Sequence, residues 1–280
     1  MRTLAHISDL HFGRLDRATL PALATSIIAA KPDIVVVSGD LTQRARRQEF
    51  ADARRFLDTL PAPQIVVPGN HDVPLYNVVS RWLKPLRRYR QIISDDLEPF
   101  YADDEIAVVG INTARSLTIK NGRINVKQVA SGCARLEACA REVTRVVVTH
   151  HPFDLADTEN VDSLVGRADM AMAGFARCRV DVILAGHVHT SRISDSALRY
   201  KIPGYTALLV RAGTATSSRR RGELNAWNLI RIERPRISID CLTWDAERGS
   251  FAVSRTDRFQ LKQDGGTPAS AISPDGEYKH

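Results

Sequence analysis

From residue 3 to residue 67 the chain alternates short β-branched runs with segments of helical apolar period. Residues 3–8 predict a first strand. Asp16 to Ala30 then places Leu20, Leu23, Ala24, Ile27 and Ile28 on one helical face, and Pro32 closes it. Asp33 to Val37 is a continuous β-branched run, the mark of a strand buried on both faces. Ala45 to Leu60 reads as helix again, with Phe50, Phe56, Leu57 and Leu60 as its apolar positions. Pro61 and Pro63 stop that helix before a strand beginning at Gln64. The order is βαβαβ, so the sheet should begin parallel and covered by helices.

A less regular stretch runs from Val73 to Asp104. Glu105 to Ile111 predicts a strand, Asn125 to Glu142 mostly helix, and Arg145 to Thr149 a strand. Ser163 to Arg177 reads as helix and Asp181 to Leu184 as strand. Past His189 the pattern changes. Tyr205–Ala212, Ala226–Glu233, Arg236–Trp244 and Phe251–Arg255 read as antiparallel strands without helices. One sheet in the first two thirds and another towards the end imply two packed sheets flanked by helices. Residues 1–261 form one domain on this reading. From Lys262 on, Gly, Pro, Ser and Asp dominate and no apolar period survives, which predicts a disordered tail over 262–280.

The chemistry-bearing residues fall where the strands should end. Five runs each close on a small residue followed by metal-ligand side chains: Asp9-Leu10-His11, Gly39-Asp40, Gly69-Asn70-His71-Asp72, Thr149-His150-His151 and Gly186-His187-Val188-His189. Six of the eight histidines lie in these turns. In open α/β sheets ligands bind outside the carboxyl ends of the strands. Read as extended segments, Asp9-x-His11 and His187-x-His189 would each point two side chains the same way. A carboxylate can bridge two cations and an imidazole cannot, so Asp40 is the natural bridge. Mixed N/O donors suit Mn, Fe or Zn. Two such ions ~3.5–4 Å apart would activate water and clamp the oxygens of a displacement at phosphorus. His6, upstream within the first strand, reads as a core histidine.

The series DLH, GDLT, GNHD, THHP and GHVH, in order over residues 9–189, resembles the calcineurin-like metallophosphoesterase family, and most closely the bacterial branch that includes class III cyclic nucleotide phosphodiesterases. That resemblance implies a four-layer αββα sandwich with a dinuclear centre between strand ends. It implies one metal on Asp9, His11, Asp40 and His189, and the other on Asp40, Asn70, His150 and His187. It leaves His71 as general acid at the leaving-group oxygen. Asp72 would either orient His71 or cap the turn that follows. His151 is either the ligand in place of His150 or a group behind it. Asn112, ending the strand through Ile111, either touches substrate or forms a turn.

The net charge of +7 favours anionic partners, but no arginine run is a nucleic-acid module. The resemblance implies a small phosphoester substrate, and no stable nucleic-acid complex is expected. Arg219 and Arg220 lie in a loop where they either pair with substrate or face solvent. Within 81–90, Trp82, Leu83, Leu86 and Tyr89 would share a face ringed by cations, bent at Pro85. Such a segment either contacts membrane peripherally or caps its own domain. The polar stretch 154–163 would border the cleft. No run approaches the ~18 apolar residues of a membrane helix, and no leader is expected ahead of the first strand. The four scattered cysteines predict reduced thiols in the cytoplasm. The rival readings are a hydrolase of lipid-linked pyrophosphate at the membrane surface and a non-catalytic binding scaffold.

Overall fold

A computed structural model describes residues 1–75, 78–115, 121–217 and 223–261. The tail expected over 262–280 and the candidates Arg219 and Arg220 lie outside the described residues. The strands are β1 (Arg2–Ile7), β2 (Ile34–Val37), β3 (Gln64–Val66), β4 (Phe100–Ala102), β5 (Ile106–Gly110), β6 (Thr144–Val148), β7 (Val182–Ala185), β8 (Arg192–Asp195), β9 (Leu208–Arg211), β10 (Ala226–Glu233), β11 (Arg236–Asp245) and β12 (Ser250–Gln260). The helices are α1 (Thr19–Ala30), α2 (Arg47–Leu57), α3 (Val78–Leu83), α4 (Arg87–Ile92), α5 (Val126–Glu137) and α6 (Ala168–Arg177).

Two six-stranded sheets result, ordered β12-β11-β10-β1-β2-β3 and β4-β5-β6-β7-β9-β8. The division differs from the one expected. The first and last thirds of the chain share a sheet, because β10 pairs antiparallel with β1, placing Leu4 opposite Ile230. The middle third builds the other sheet. There β9 runs parallel to β7, so the stretch 205–212 is not purely antiparallel. The short β8, half-buried throughout, carries no apolar period and escapes a pattern reading.

Strand alternation explains the layers. Ile34 and Val36 face a core between the sheets together with Val146, Val148 and Leu184. Val35 and Val37 face the opposite way, under Leu23 of α1, Phe50 of α2 and Tyr89 of α4. Val147 turns to a third core, with Val129 and Phe175 of α5 and α6. Each inner strand is thus apolar on both faces, which is why its sequence does not alternate. The architecture is the four-layer αββα sandwich.

Three local expectations change. The segment 81–90 is not one helix. It breaks between α3 and α4 around Pro85, which lacks an N–H to continue the ladder. Leu86 and Tyr89 turn inward, whereas Trp82 and Leu83 are 68% and 75% exposed. The second helix of the middle third starts at Ala168 rather than Ser163, because Gly166 is tied to Gly122 (N–H to O 2.8 Å) and Arg167 takes a left-handed φ of 68°. Finally, Cys133 on α5 and Cys178 at the end of α6 are joined as a disulfide with Cα atoms 5.4 Å apart. The expectation of four reduced thiols is corrected: packing of α5 on α6 brings together cysteines 45 positions apart. Among the described residues no helix is long and apolar enough to cross a membrane.

Candidate metal centre

β1, β2, β3, β6 and β7 run parallel within their sheets and end at one edge of the sandwich. The residues just beyond those ends are the ones singled out above. The backbone there is not extended. Asp9 (φ 54°), His11 (49°), Asp40 (52°), His187 (75°) and His189 (68°) are all left-handed. This corrects the reading of Asp9-x-His11 and His187-x-His189 as extended pairs. Each such residue costs ~1 kcal/mol or more and persists only where surrounding contacts over-determine it. Here they do. Asp9 N–H donates to Gly39 O (3.1 Å), His11 N–H to Asp40 O (3.0 Å) and Phe12 N–H to Leu41 O (2.8 Å), zipping the first two turns together. Thr214 and Thr216 hydroxyls donate to Asp9 O and Leu10 O, both at 2.8 Å. These threonines follow β9 and were missed in the sequence, because their partners lie some 200 positions away.

Two clusters of ligand atoms form. In the first, Asp9, His11, Asp40 and His189 each offer one atom within 4.8 Å of the others. His11 Nε2 lies 3.1 Å from His189 Nε2, and Asp9 Oδ1 lies 3.2 Å from His189 Nε2 and 3.5 Å from His11 Nε2. In the second, His150 Nε2 lies 3.1 Å from Asn70 Oδ1, 3.3 Å from His187 Nδ1 and 3.4 Å from Asp40 Oδ1. Asp40 divides its oxygens between them: Oδ2 faces His11 at 3.8 Å while Oδ1 faces His150.

The donor set fits transition-metal ions. Ligand atoms bound ~2.0–2.2 Å from one ion stand roughly 3.0–3.6 Å apart, close to the spacings found. Asp9 Oδ1 is buried and accepts no hydrogen bond, which is costly for a carboxylate oxygen unless a cation takes the place of the donor. His150 Nδ1 is held 2.8 Å from Ser38 O. A carbonyl only accepts, so the proton sits on Nδ1 and Nε2 keeps its lone pair for a ligand role.

The electrostatics agree. Burial alone would raise the carboxyls of Asp9 and Asp40, but the surrounding histidines outweigh it and hold both below the usual range. Burial likewise depresses His150, yet Asp40 and Asp9 carry it up to about 9. His187 is pushed down to about 3 by burial and by its neighbour His150. Two buried anions thus demand positive charge, and a proton on His150 meets part of that demand where no cation does.

The remaining candidates are placed as follows. His71 N–H donates to Asp40 Oδ1 (2.8 Å), and its Nδ1 donates to Gln43 O (2.9 Å), while Nε2 has no hydrogen-bond partner among the described residues. Asp72 is spent on backbone. It accepts from Gly69 N–H (2.9 Å), Leu41 N–H (3.2 Å), Thr42 N–H (2.9 Å) and Thr42 Oγ1 (2.9 Å). It therefore braces the turns at Gly69 and at Leu41–Thr42, a role different from either alternative, since neither the following turn nor the His71 ring supplies one of these donors. Burial and the nearby Asp40 push its carboxyl up to about 6 against those four donors. Asn112 Oδ1 accepts Ala114 N–H (2.9 Å), a turn-forming role. His151 is buried beside His187, rings 4.5 Å apart, with Nδ1 2.8 Å from Thr113 Oγ1. The stretch 154–163 is latched to the His187–His189 turn: Glu159 pairs with Arg211 (2.7 Å) and accepts Thr190 Oγ1 (2.9 Å). His6 is a core residue bonded to Ser38 Oγ (2.9 Å).

A four-layer αββα scaffold with histidine and carboxylate clusters at its strand ends defines the metallophosphoesterase class. The Calcineurin-like phosphoesterase family matches residues 2–191, and the chain belongs to it. Among curated proteins it is 32% identical over 168 residues to the glycerophosphodiester phosphodiesterase GpdQ of Enterobacter lignolyticus, a match covering 56% of this chain and 59% of that protein. It is 24% identical over 209 residues to a probable cyclic nucleotide phosphodiesterase of Synechococcus, covering 70% of this chain and 76% of that one. The first match thus spans less than two thirds of that relative's length. In fold the chain resembles a purple acid phosphatase from yellow lupin seeds (TM-score 0.72, 11% identity, 97% of this chain and 57% of that one). It also resembles a dimetal phosphatase from Danio rerio (TM-score 0.59, 14% identity, 86% and 95%).

Proposed function

We propose that the protein is a metal-dependent phosphoric ester hydrolase acting on phosphodiesters through a dinuclear centre of Mn, Fe or Zn, with cyclic nucleotides among the candidate substrates. The observation that carries this reading is the split carboxylate of Asp40, one oxygen towards each cluster. Asp9, His11, Asp40 and His189 would hold one ion; Asp40, Asn70, His150 and His187 would hold the other. Bound there, the ions would acidify water and offset charge on the phosphoryl oxygens.

The chain's own groups do the rest. With Nδ1 fixed to Gln43 O and the ring 5.0 Å from that of His11, His71 keeps Nε2 as the nitrogen available to a substrate. In its doubly protonated form it delivers a proton from Nε2 to the departing alkoxide, worth about 10²–10⁴ in rate. The bond from His71 N–H to Asp40 Oδ1 keeps the proton donor in register with the bridging carboxylate. Asp72 and Thr42 fix the turns that carry both.

The test is cleavage of bis(p-nitrophenyl) phosphate by the Mn- or Fe-loaded protein. Activity should need added metal and vanish in Asp40→Ala together with most bound metal. A fully loaded wild-type protein that releases no nitrophenol from any aryl phosphoester would overturn the reading.

A further inference from the structure

Beside the metal centre the surface opens into a groove that the phosphoryl chemistry leaves unused. It begins at Val73, just after the Asn70–Asp72 turn, and at Asn112, one residue before the Thr113 that bonds His151. It runs to the α3–α4 corner and encloses ≈ 590 Å³, within the range of small-ligand sites. Its floor is apolar, with Val73, Leu86, Leu97 and Ala114. Among the described residues, every charged side chain lining it is a cation: Lys84, Arg87, Arg90 and Arg115. A second groove of ≈ 870 Å³ on the other side of Leu83 and Pro85 shares Lys84 and Arg87, adds Arg47 and Arg88, and again holds no carboxylate among the described residues.

Few of these charges are neutralised. Arg90 pairs with Asp95 at 3.0 Å. Lys84, Arg87 and Arg115 make no ion pair with a described residue. Arg115 donates to neutral acceptors, Arg123 O (3.0 Å) and Gln128 Oε1 (3.5 Å). Burial, with Arg123 and Arg167 nearby, makes its positive charge harder to keep. An anion would relieve that crowding.

We propose that this groove binds one of the two alcohols esterified to the scissile phosphate, and that this alcohol carries a second anionic group, a carboxylate or phosphate, on a short apolar body. The inference rests on the phosphodiesterase reading for its substrate but not for its binding site. Charge at the groove then selects among phosphodiesters that the metal centre would treat alike.

Two p-nitrophenyl phosphodiesters separate the possibilities, one with ethanol and one with 3-hydroxypropanoate as the other alcohol. Wild type should favour the carboxylate ester by about tenfold in kcat/KM, the worth of one charge-assisted hydrogen bond. The Arg87→Glu, Arg115→Glu double variant should lose that preference, and Arg248→Glu, in the distant β11–β12 turn, should retain it. A binding arm uses chelator-treated protein and calorimetric titration with the carboxylate ester. Binding that the double variant abolishes supports the groove even if no ester is hydrolysed, in which case only the catalytic reading fails. Equal kcat/KM for both esters in wild type, or binding unaffected by charge reversal, overturns the proposal. So does arginine-dependent co-sedimentation with phosphatidylglycerol vesicles without discrimination between the esters. That outcome would assign the cations, with exposed Trp82 and Leu83, to a membrane surface.

Discussion

Gly186→Ala isolates the claim that backbone proximity, as much as ligand identity, builds the metal centre. Gly186 is not among the glycines with positive φ, so alanine meets no conformational penalty there and only the added methyl acts. That methyl would overlap Ser8 Oγ and stand 2.6 Å from Asp9 Oδ2. Asp9 Oδ2 is held by Ser8 Oγ at 2.6 Å and by His187 N–H at 2.9 Å. Overpacking of this kind costs ~1–3 kcal/mol, and each charge-assisted bond given up costs a further ~1.5–3 kcal/mol. Ser8 can rotate away more easily than the carboxylate can, so the least expected loss is one bond. Disturbing a group that orients a ligand lowers metal affinity about 10–100-fold. Calorimetric titration of the metal-free protein with Mn measures that loss, and a thermal melt in chelator measures the overpacking separately. Adding Ser8→Gly empties the space the methyl needs and should recover part of the affinity. A double-mutant cycle should then give a coupling of at least ~0.5 kcal/mol. If Gly186→Ala binds Mn within twofold of wild type, the account of Asp9 as a ligand held from two sides is wrong.

Tyr89→Phe should lower stability by ~1–2 kcal/mol in chemical denaturation, because Tyr89 Oη donates to Val66 O at 2.9 Å in the core and the carbonyl would be left bare; an unchanged midpoint would mean α4 is not docked on β3. Burial would raise the Glu159 carboxyl, but its bonds from Arg211 and Ala156 N–H, and the Arg211 charge, hold it below its ordinary 4.5. Its stabilising effect is therefore present above pH ~4.5 and lost as pH falls through the lower folded value. Wild type should exceed Glu159→Gln by about 1 kcal/mol at pH 7, and the gap should shrink as pH falls below ~4.5; a gap that widens in acid would refute the pairing. Ellman's reagent in denaturant without reductant should find two thiols, Cys139 and Cys241. Reduction should expose all four cysteines and cost ~4 kcal/mol on a chain-entropy reckoning for this loop. Four thiols before reduction would mean that Cys133 and Cys178 are not bonded.

The inner strands were legible because they are buried on both faces. Ile34-Val35-Val36-Val37 and Val146-Val147-Val148 serve two cores each and so appear as unbroken β-branched runs. Sheet membership was not legible. Nothing local says that Ile230 will lie beside Leu4, since antiparallel strands read the same whichever sheet they extend. The 81–90 segment misled for a related reason. Its apolar residues fit one helical face only if the helix is continuous, and Pro85 breaks it. The disulfide between Cys133 and Cys178 depends on how α5 meets α6, which their separate apolar periods do not specify.

Which residues gather at the candidate site was readable, but their backbone conformation was not, and the difference has a physical cause. Five of the nine described non-glycine residues with positive φ are Asp9, His11, Asp40, His187 and His189. Aspartate and histidine enter that region more readily than most residues, so a turn of this kind can be built without glycine at the ligand itself. Before Asp40, Asn70 and His187 glycine stands one place earlier instead. A Cβ at Gly69 would overlap Asp40 Oδ1 and backbone, as one at Gly186 would overlap Ser8 Oγ. The repeated pairs Gly39-Asp40, Gly69-Asn70 and Gly186-His187 therefore carry a joint instruction. The second residue offers a candidate donor atom, and at Gly69 and Gly186 the first leaves room for a side chain from another strand end to come close. Strain at the left-handed turns must be repaid by contacts made only when both sheets are assembled, such as Thr214 to Asp9 O and Thr216 to Leu10 O. The metal centre should accordingly be among the last parts of the molecule to reach its final geometry, and bound metal should stabilise the contact between β9's following turn and β1's more than it stabilises either helix layer.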